Sequence, residues 1–183
     1  SIYSYTGTNM LSGGYWLGGV GRRIYANKMA MVGSIGVITA HFSYSRALKD
    51  QGVDVTMIRA GEFKALGSPY EKLDDVAKAE IQDKLNRTYG MFTGHVSVQR
   101  DIPVGKLIET AAEGRVFFAA DAIDVGLVDD VMSFDAVVED VSKRSRKSRT
   151  VGSNFQSSNV KGDAMPRSLN AAGQAAVASG VSL

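Results

Sequence analysis

A serine followed by two glycines, in Leu11-Ser12-Gly13-Gly14-Tyr15-Trp16, is the stretch of this chain most suited to covalent chemistry. Before it, Ile2-Tyr3-Ser4-Tyr5-Thr6 is rich in β-formers and predicts a strand. After it, Tyr15 to Val20 is apolar enough for a short buried helix. A serine at that junction has its hydroxyl near the positive end of a helix, where unpaired N–H groups stabilise negative charge. The glycines let a second chain approach the backbone closely. This placement suits a nucleophile, though on these six residues alone an N-cap serine in a glycine-rich turn is the commoner reading.

Two further segments follow. Ile58-Arg59-Ala60-Gly61-Glu62-Phe63-Lys64-Ala65-Leu66-Gly67-Ser68-Pro69 comes after a strand-like run, Val53 to Ile58, and puts Lys64 52 positions beyond Ser12. Between them, Met31-Val32-Gly33-Ser34-Ile35-Gly36-Val37-Ile38 is apolar and punctuated by glycine. Together the three segments resemble the signal peptide peptidase (protease IV) family of serine peptidases, which includes a branch of phage capsid-assembly proteases. That family carries a Ser-Gly-Gly-Tyr segment, a Gly-Ser-Ile-Gly-Val strand and a Gly-x-x-Lys-x-x-Gly-Ser-Pro segment, in this order. Gly114-Arg115-Val116, Ala122 and Gly126-Leu127-Val128-Asp129 fit a later part of the same pattern and read as packing positions. The resemblance runs from about residue 1 to about residue 141. Met10-Leu11, Gly21-Arg22-Arg23 and Lys28 depart from the family pattern without touching these motifs.

The resemblance implies roles. Ser12 matches the nucleophile, Lys64 the general base and Ser34 the serine that orients the lysine. The Gly13 amide is one oxyanion donor, as in the related Clp protease/crotonase fold. The second donor of that fold comes from a glycine pair upstream of the nucleophile strand, a segment outside this sequence, so the chain is expected to be a fragment or processed product. Loss of one oxyanion donor typically costs about 10²–10³ in rate. A serine hydroxyl needs a base to accept its proton, and with no cysteine and two histidines, lysine is the obvious candidate. An ordinary lysine pKa of about 10.4 must fall by about three units, worth roughly 4 kcal/mol, for the amine to be neutral near pH 7. Burial in an apolar pocket shifts a lysine that far. Phe63 and Leu66 flank Lys64, whereas Glu62 opposes the shift if the segment is extended. In the family, serine and lysine also come from neighbouring subunits, which implies a homo-oligomeric ring.

Other readings stand beside these. Ser34 also suits a plain turn. His41 follows the Gly-Ser-Ile-Gly strand about where a Clp-type histidine falls, and so competes for the role of base. His95, on a long helical pattern, reads as a surface or interface residue. No phosphate-loop pattern occurs.

Composition fits one globular domain: 44% hydrophobic and 22% charged residues in 183. The absence of cysteine excludes a disulfide framework and a thiolate nucleophile, and two histidines exclude a multi-histidine metal site. No cofactor is implied. No run of about 18 apolar residues predicts a membrane span. Between Ser142 and Leu183 there are seven basic residues and one acidic, Asp163, in a chain whose net charge is +2. The preceding residues are therefore net acidic. This predicts a peptidase-like body over 1–141 and a basic, low-complexity, disordered tail over 142–183. The tail reads as a solubilising linker ahead of a nucleic-acid contact.

The periodicities predict strands at 2–6, 24–26, 31–38, 53–58, 114–118 and 127–131. Helices are predicted at 13–20, 41–51, 74–99, from Pro103, at 119–125 and 134–141. The long helix carries Ile81, Leu85, Tyr89, Phe92 and Val96 on one stripe. The sum is an α/β layered fold of the Clp protease/crotonase type. The resemblance leaves three functional readings. One is a phage capsid-assembly protease cutting scaffold or head proteins in the host cytoplasm or procapsid. The second is a signal peptide peptidase degrading leader peptides. The third is a catalytically silent assembly module in which Ser12 and Lys64 are dispensable.

Overall fold

Two three-stranded sheets carry the chain in a computed structural model that describes residues 1–156, with side chains through residue 146. In the first, β1 (Ser4–Thr6) lies parallel to β3 (Ile24–Ala26), which lies parallel to β6 (Asp130–Val131). In the second, β2 (Asn9–Leu11) lies parallel to β4 (Met31–Gly33), and β4 is antiparallel to β5 (Val116–Phe118). The class is mixed α/β, as the element order predicts.

The strand that delivers Ser12 is β2, not the predicted strand at 2–6. The chain leaves β1 at Thr6 and re-enters a ladder at Asn9, so Leu11 pairs with Gly33 and the Ser12 N–H reaches the Gly33 carbonyl at 2.9 Å. Helix α1 (Gly13–Gly18) begins at once. Tyr15 is fully buried beneath it, and its hydroxyl donates to the Leu127 carbonyl at 2.8 Å. Burial also pushes the Tyr15 phenol up, so it remains a donor.

The predicted strand at 53–58 does not form. Val53, Val55 and Ile58 are exposed, and without a neighbouring strand the segment has no ladder to join. The helix predicted at 41–51 contracts to α2 (Ser45–Asp50), and Gly52, at φ +75, turns the chain out of it. Helix α3 (Asp75–Arg100) forms as the stripe predicts. Asp74 caps it by accepting from the Ala77 N–H at 2.6 Å. Beyond Ala77 in the first turn, its buried residues, Phe92, Thr93 and Val96, lie toward the C-terminal half, while Ile81, Leu85 and Tyr89 are half-buried. Then come α4 (Val104–Thr110), α5 (Ala119–Asp124) and α6 (Phe134–Gln156). The last helix runs beyond the predicted end at Val141, because the lysines and arginines that follow are good helix formers. The first part of the predicted disordered tail is therefore helical, and residues 157–183 lie outside the described residues. No helix among the described residues is long and apolar enough to cross a membrane.

One ion pair locks the floor of the first sheet. Arg100 donates to Asp129 at 2.8 Å and to the Gly126 carbonyl at 2.8 Å, and Asp129 also accepts from the Ile24 N–H at 2.7 Å. Burial alone would raise the Asp129 pKa, but the Arg100 and Ile24 hydrogen bonds hold it below the ordinary aspartate value. A depressed folded-state pKa stabilises the fold at pH values above the ordinary aspartate range. That stability is lost as pH falls through the lower folded value. We expect Asp129→Asn to cost about 2 kcal/mol at pH 7, less than a fully buried pair. The difference from wild type should shrink in urea melts as pH falls below the ordinary aspartate range.

Candidate active site

Ser12 has φ 51 and ψ −125, a backbone conformation that side-chain-bearing residues rarely adopt. It is imposed by the sharp passage from β2 into α1, the geometry of a strained strand-to-helix turn that lifts a side chain out of the sheet. The Ser12 carbonyl accepts the first helical bonds, from the Tyr15 and Trp16 N–H groups at 2.9 and 3.0 Å. The side chain makes no capping hydrogen bond, so Ser12 does not serve as an ordinary N-cap serine. α1 is gripped from its other side by α3: Trp16 stacks on Phe92 at 4.7 Å and on His95 at 5.7 Å. The His95 Nε2 lies 3.2 Å from the Trp16 carbonyl. His95 is thus half-buried against α1, not a free surface residue.

Ser34 follows β4 directly and also has a positive φ, 52. Gly33 before it stands at φ +118, and a Cβ there would come within 2.6 Å of the Arg115 carbonyl oxygen. Only glycine fits this close approach. Gly33→Ala should cost more than about 2 kcal/mol, combining a backbone clash with a disfavoured φ. A lowered urea midpoint with unchanged slope would report it.

Ser12 and Ser34 open into one cavity of about 540 Å³, walled by Gly36, Val37 and Ile38 and by Leu85 and Tyr89 of α3. Leu85 and Tyr89, both on the predicted stripe, line this cavity, and Tyr89 also packs against the core. The cavity is also lined by Glu113, which sequence reasoning did not single out.

Lys64 is not brought to this cavity. It lies in the turns after Gly61, exposed, with its N–H bonded to the Gly61 carbonyl at 3.2 Å. Its neighbours Glu62, Phe63 and Leu66 line a separate cavity of about 730 Å³ beside the start of α3. An Arg59–Glu71 pair, bonded at 3.0 and 3.1 Å, braces that cavity. His41 is also away from Ser12: its Nε2 is 3.0 Å from the Ser68 carbonyl, which ties the lysine-bearing turns to the start of their excursion. Among the described residues, no three His, Asp or Glu side chains converge where a metal could sit.

The pattern of peptidase family S49 matches residues 1–148. Capsid assembly protease C of Escherichia phage lambda is 36% identical over 143 residues, 77% of this chain and 32% of that protein. The chloroplastic serine protease SPPA of Arabidopsis thaliana is 32% identical over 121 residues, 66% of this chain and 18% of that protein. Head-tail preconnector protein GP5 of Enterobacteria phage P21 is 28% identical over 145 residues, 79% of this chain and 26% of that protein. The chain spans about a third of the length of the first of these relatives. With a family pattern running from Ser1 through the strained serine and the lysine-bearing turns and into α6, the chain belongs to peptidase family S49.

Proposed function

We propose that this chain is the catalytic portion of a serine endopeptidase on a Clp protease/crotonase-like layered fold, acting in phage capsid assembly on scaffold or head proteins. The observation that carries the reading is Ser12. It holds a strained, uncapped position at the β2–α1 junction and opens into a peptide-sized cavity. In this reading the Ser12 hydroxyl attacks the scissile carbonyl, and the Gly13 N–H, the first amide of α1, donates to the oxyanion. Lys64 takes the Ser12 proton and returns it to the leaving amine, and Ser34 orients the lysine. Because Lys64 is exposed and outside the cavity, it acts on a neighbouring copy, which makes the working unit a homo-oligomer with active sites near subunit interfaces. The phage setting is supported by the capsid protease and preconnector relatives. In that setting the protein works in the host cytoplasm or procapsid. A putative signal peptide peptidase SppA of Enterococcus faecium, 28% identical over 145 residues, keeps leader-peptide degradation as the second reading.

The test is intact-mass analysis of the complete gene product co-expressed with its neighbouring head or scaffold protein, with a synthetic leader peptide as a parallel substrate. Defined fragments of the head protein support the capsid reading. Cleavage of the leader peptide alone moves the assignment to the second reading. Intact masses for both substrates overturn the endopeptidase assignment in favour of a silent assembly module.

A further inference from the structure

Glu113 heads the turn between α4 and β5 with φ 62, and Gly114 continues it at φ 73. Holding a glutamate in the left-handed region costs of order 1–3 kcal/mol, so its surroundings must fix it there. They do so through the nucleophile's own sheet. The Gly114 N–H donates to the Ile35 carbonyl at 2.9 Å, and the Ser34 N–H to the Arg115 carbonyl at 2.6 Å. A Cβ on Gly36 would stand 3.2 Å from the Gly114 nitrogen, so the turn packs directly on the backbone that follows β4. β4 is in turn bonded to Ser12 through Gly33. The backbone of Glu113 is therefore tied to the same ladder that holds Ser12.

Its side chain is oriented as well. The Tyr89 hydroxyl on α3 donates to Glu113 Oε1 at 2.5 Å. The Tyr89 phenol is raised above its ordinary value, by burial first and by the Glu113 bond next, and so stays a donor. Among the described residues no ion pair includes Glu113. Arg115, two positions on, directs its guanidinium to the Ile108 and Glu109 carbonyls at 3.3 and 2.6 Å. Of the described residues lining the Ser12 cavity, Glu113 is the one that carries a charge. Gln82 and Asn86 supply neutral amides, and Leu85 an apolar surface, along the same wall.

We propose that Glu113, held by Tyr89, is a specificity-determining residue. It receives the ammonium or guanidinium of a substrate lysine or arginine at one fixed position from the scissile bond. Leu85 covers the aliphatic stem of that side chain, and the cation meets the carboxylate left without a charge partner in the fold. The proposal rests on the peptidase reading above and deepens it by naming the chemistry of the substrate.

Two arms separate the two ideas. In the first, the Ser12→Ala form of the complete gene product is titrated with fluorescein-labelled decapeptides of alanine and valine. These carry a single lysine walked through the sequence, and each has a glutamine twin. Lysine at one register should bind about tenfold more tightly than glutamine, the scale of a hydrogen bond to a charged group. Adding Glu113→Gln should remove the difference, and Glu113→Lys should turn the preference toward a glutamate peptide. Equal affinities for lysine and glutamine twins at every register, or a lysine preference that survives Glu113→Gln, overturn the proposal. In the second arm, the wild type digests a peptide library read by mass spectrometry. Enrichment of lysine and arginine at one position, inverted by Glu113→Lys, supports the subsite, and a cleavage profile indifferent to both substitutions overturns it. A protein that cuts nothing yet keeps the lysine preference in the first arm overturns the peptidase reading and supports the subsite.

Discussion

Ser12→Ala is expected to abolish cleavage, by at least about 10³-fold in kcat/KM, while leaving thermodynamic stability near that of wild type. Ser12→Gly is expected to be equally inactive and more stable than the alanine form. Both lose the hydroxyl, so both lose the covalent step. They differ in the backbone. At φ 51 and ψ −125 a Cβ is crowded by its own chain, and alanine keeps that Cβ. Glycine relieves about 1–2 kcal/mol of left-handed strain. Part of that is returned, because glycine makes the unfolded chain more flexible by up to about 1 kcal/mol. A net gain of roughly 0.5–1 kcal/mol over Ser12→Ala should remain and be visible as a higher urea midpoint. A glycine form less stable than the alanine form would mean that the turn at Ser12 stores no strain. A residual activity in both would mean that another group makes the nucleophilic attack.

The same comparison marks what was legible in the sequence. Ser12, Ser34 and the glycines beside them stand out because their types are unusual together, and the structure does bring both serines to one cavity. α3 was legible because its apolar stripe is long. β2 was missed because Asn9-Met10-Leu11 is short and follows a stronger run of β-formers at Ile2–Thr6. Its strandness comes from pairing with β4, a contact no local pattern encodes. The run Val53–Ile58 fails for the mirror reason: it has the local character of a strand but no partner among the described residues. Glu113 was invisible because a positive φ on a glutamate is imposed by Ser34 and Ile35 from across the fold. Periodicity put Tyr89 on the apolar stripe, and it does pack against the core, but no pattern tells that its hydroxyl reaches the cavity rim and Glu113.

Lys64→Ala should also lose activity, by about 10²–10⁴-fold, the contribution of a positioned general base. The more informative result is expected from mixing it with Ser12→Ala. In this chain Lys64 is exposed and lies outside the cavity that holds Ser12. A base needs to be within hydrogen-bond reach of the proton it takes, and a lysine base needs to be shielded from water. A second copy packed over the lysine-bearing turns supplies both conditions at once. It would also cover Ile58 and Phe63, which stand 94% and 52% exposed in the single chain. If the pair forms between copies in a closed head-to-tail ring, random assembly of equal amounts of the two inactive variants rebuilds about a quarter of the sites, each with Ser12 from one copy and Lys64 from the next. Co-expressed Ser12→Ala and Lys64→Ala should then recover about a quarter of wild-type cleavage, and dilution below the assembly concentration should abolish it. Should the mixture remain as inactive as its components while each assembles normally, the serine and its base belong to the same chain. The turns around Gly61 would then have to fold inward over Ser34, which would displace the exposed course they follow between α2 and α3.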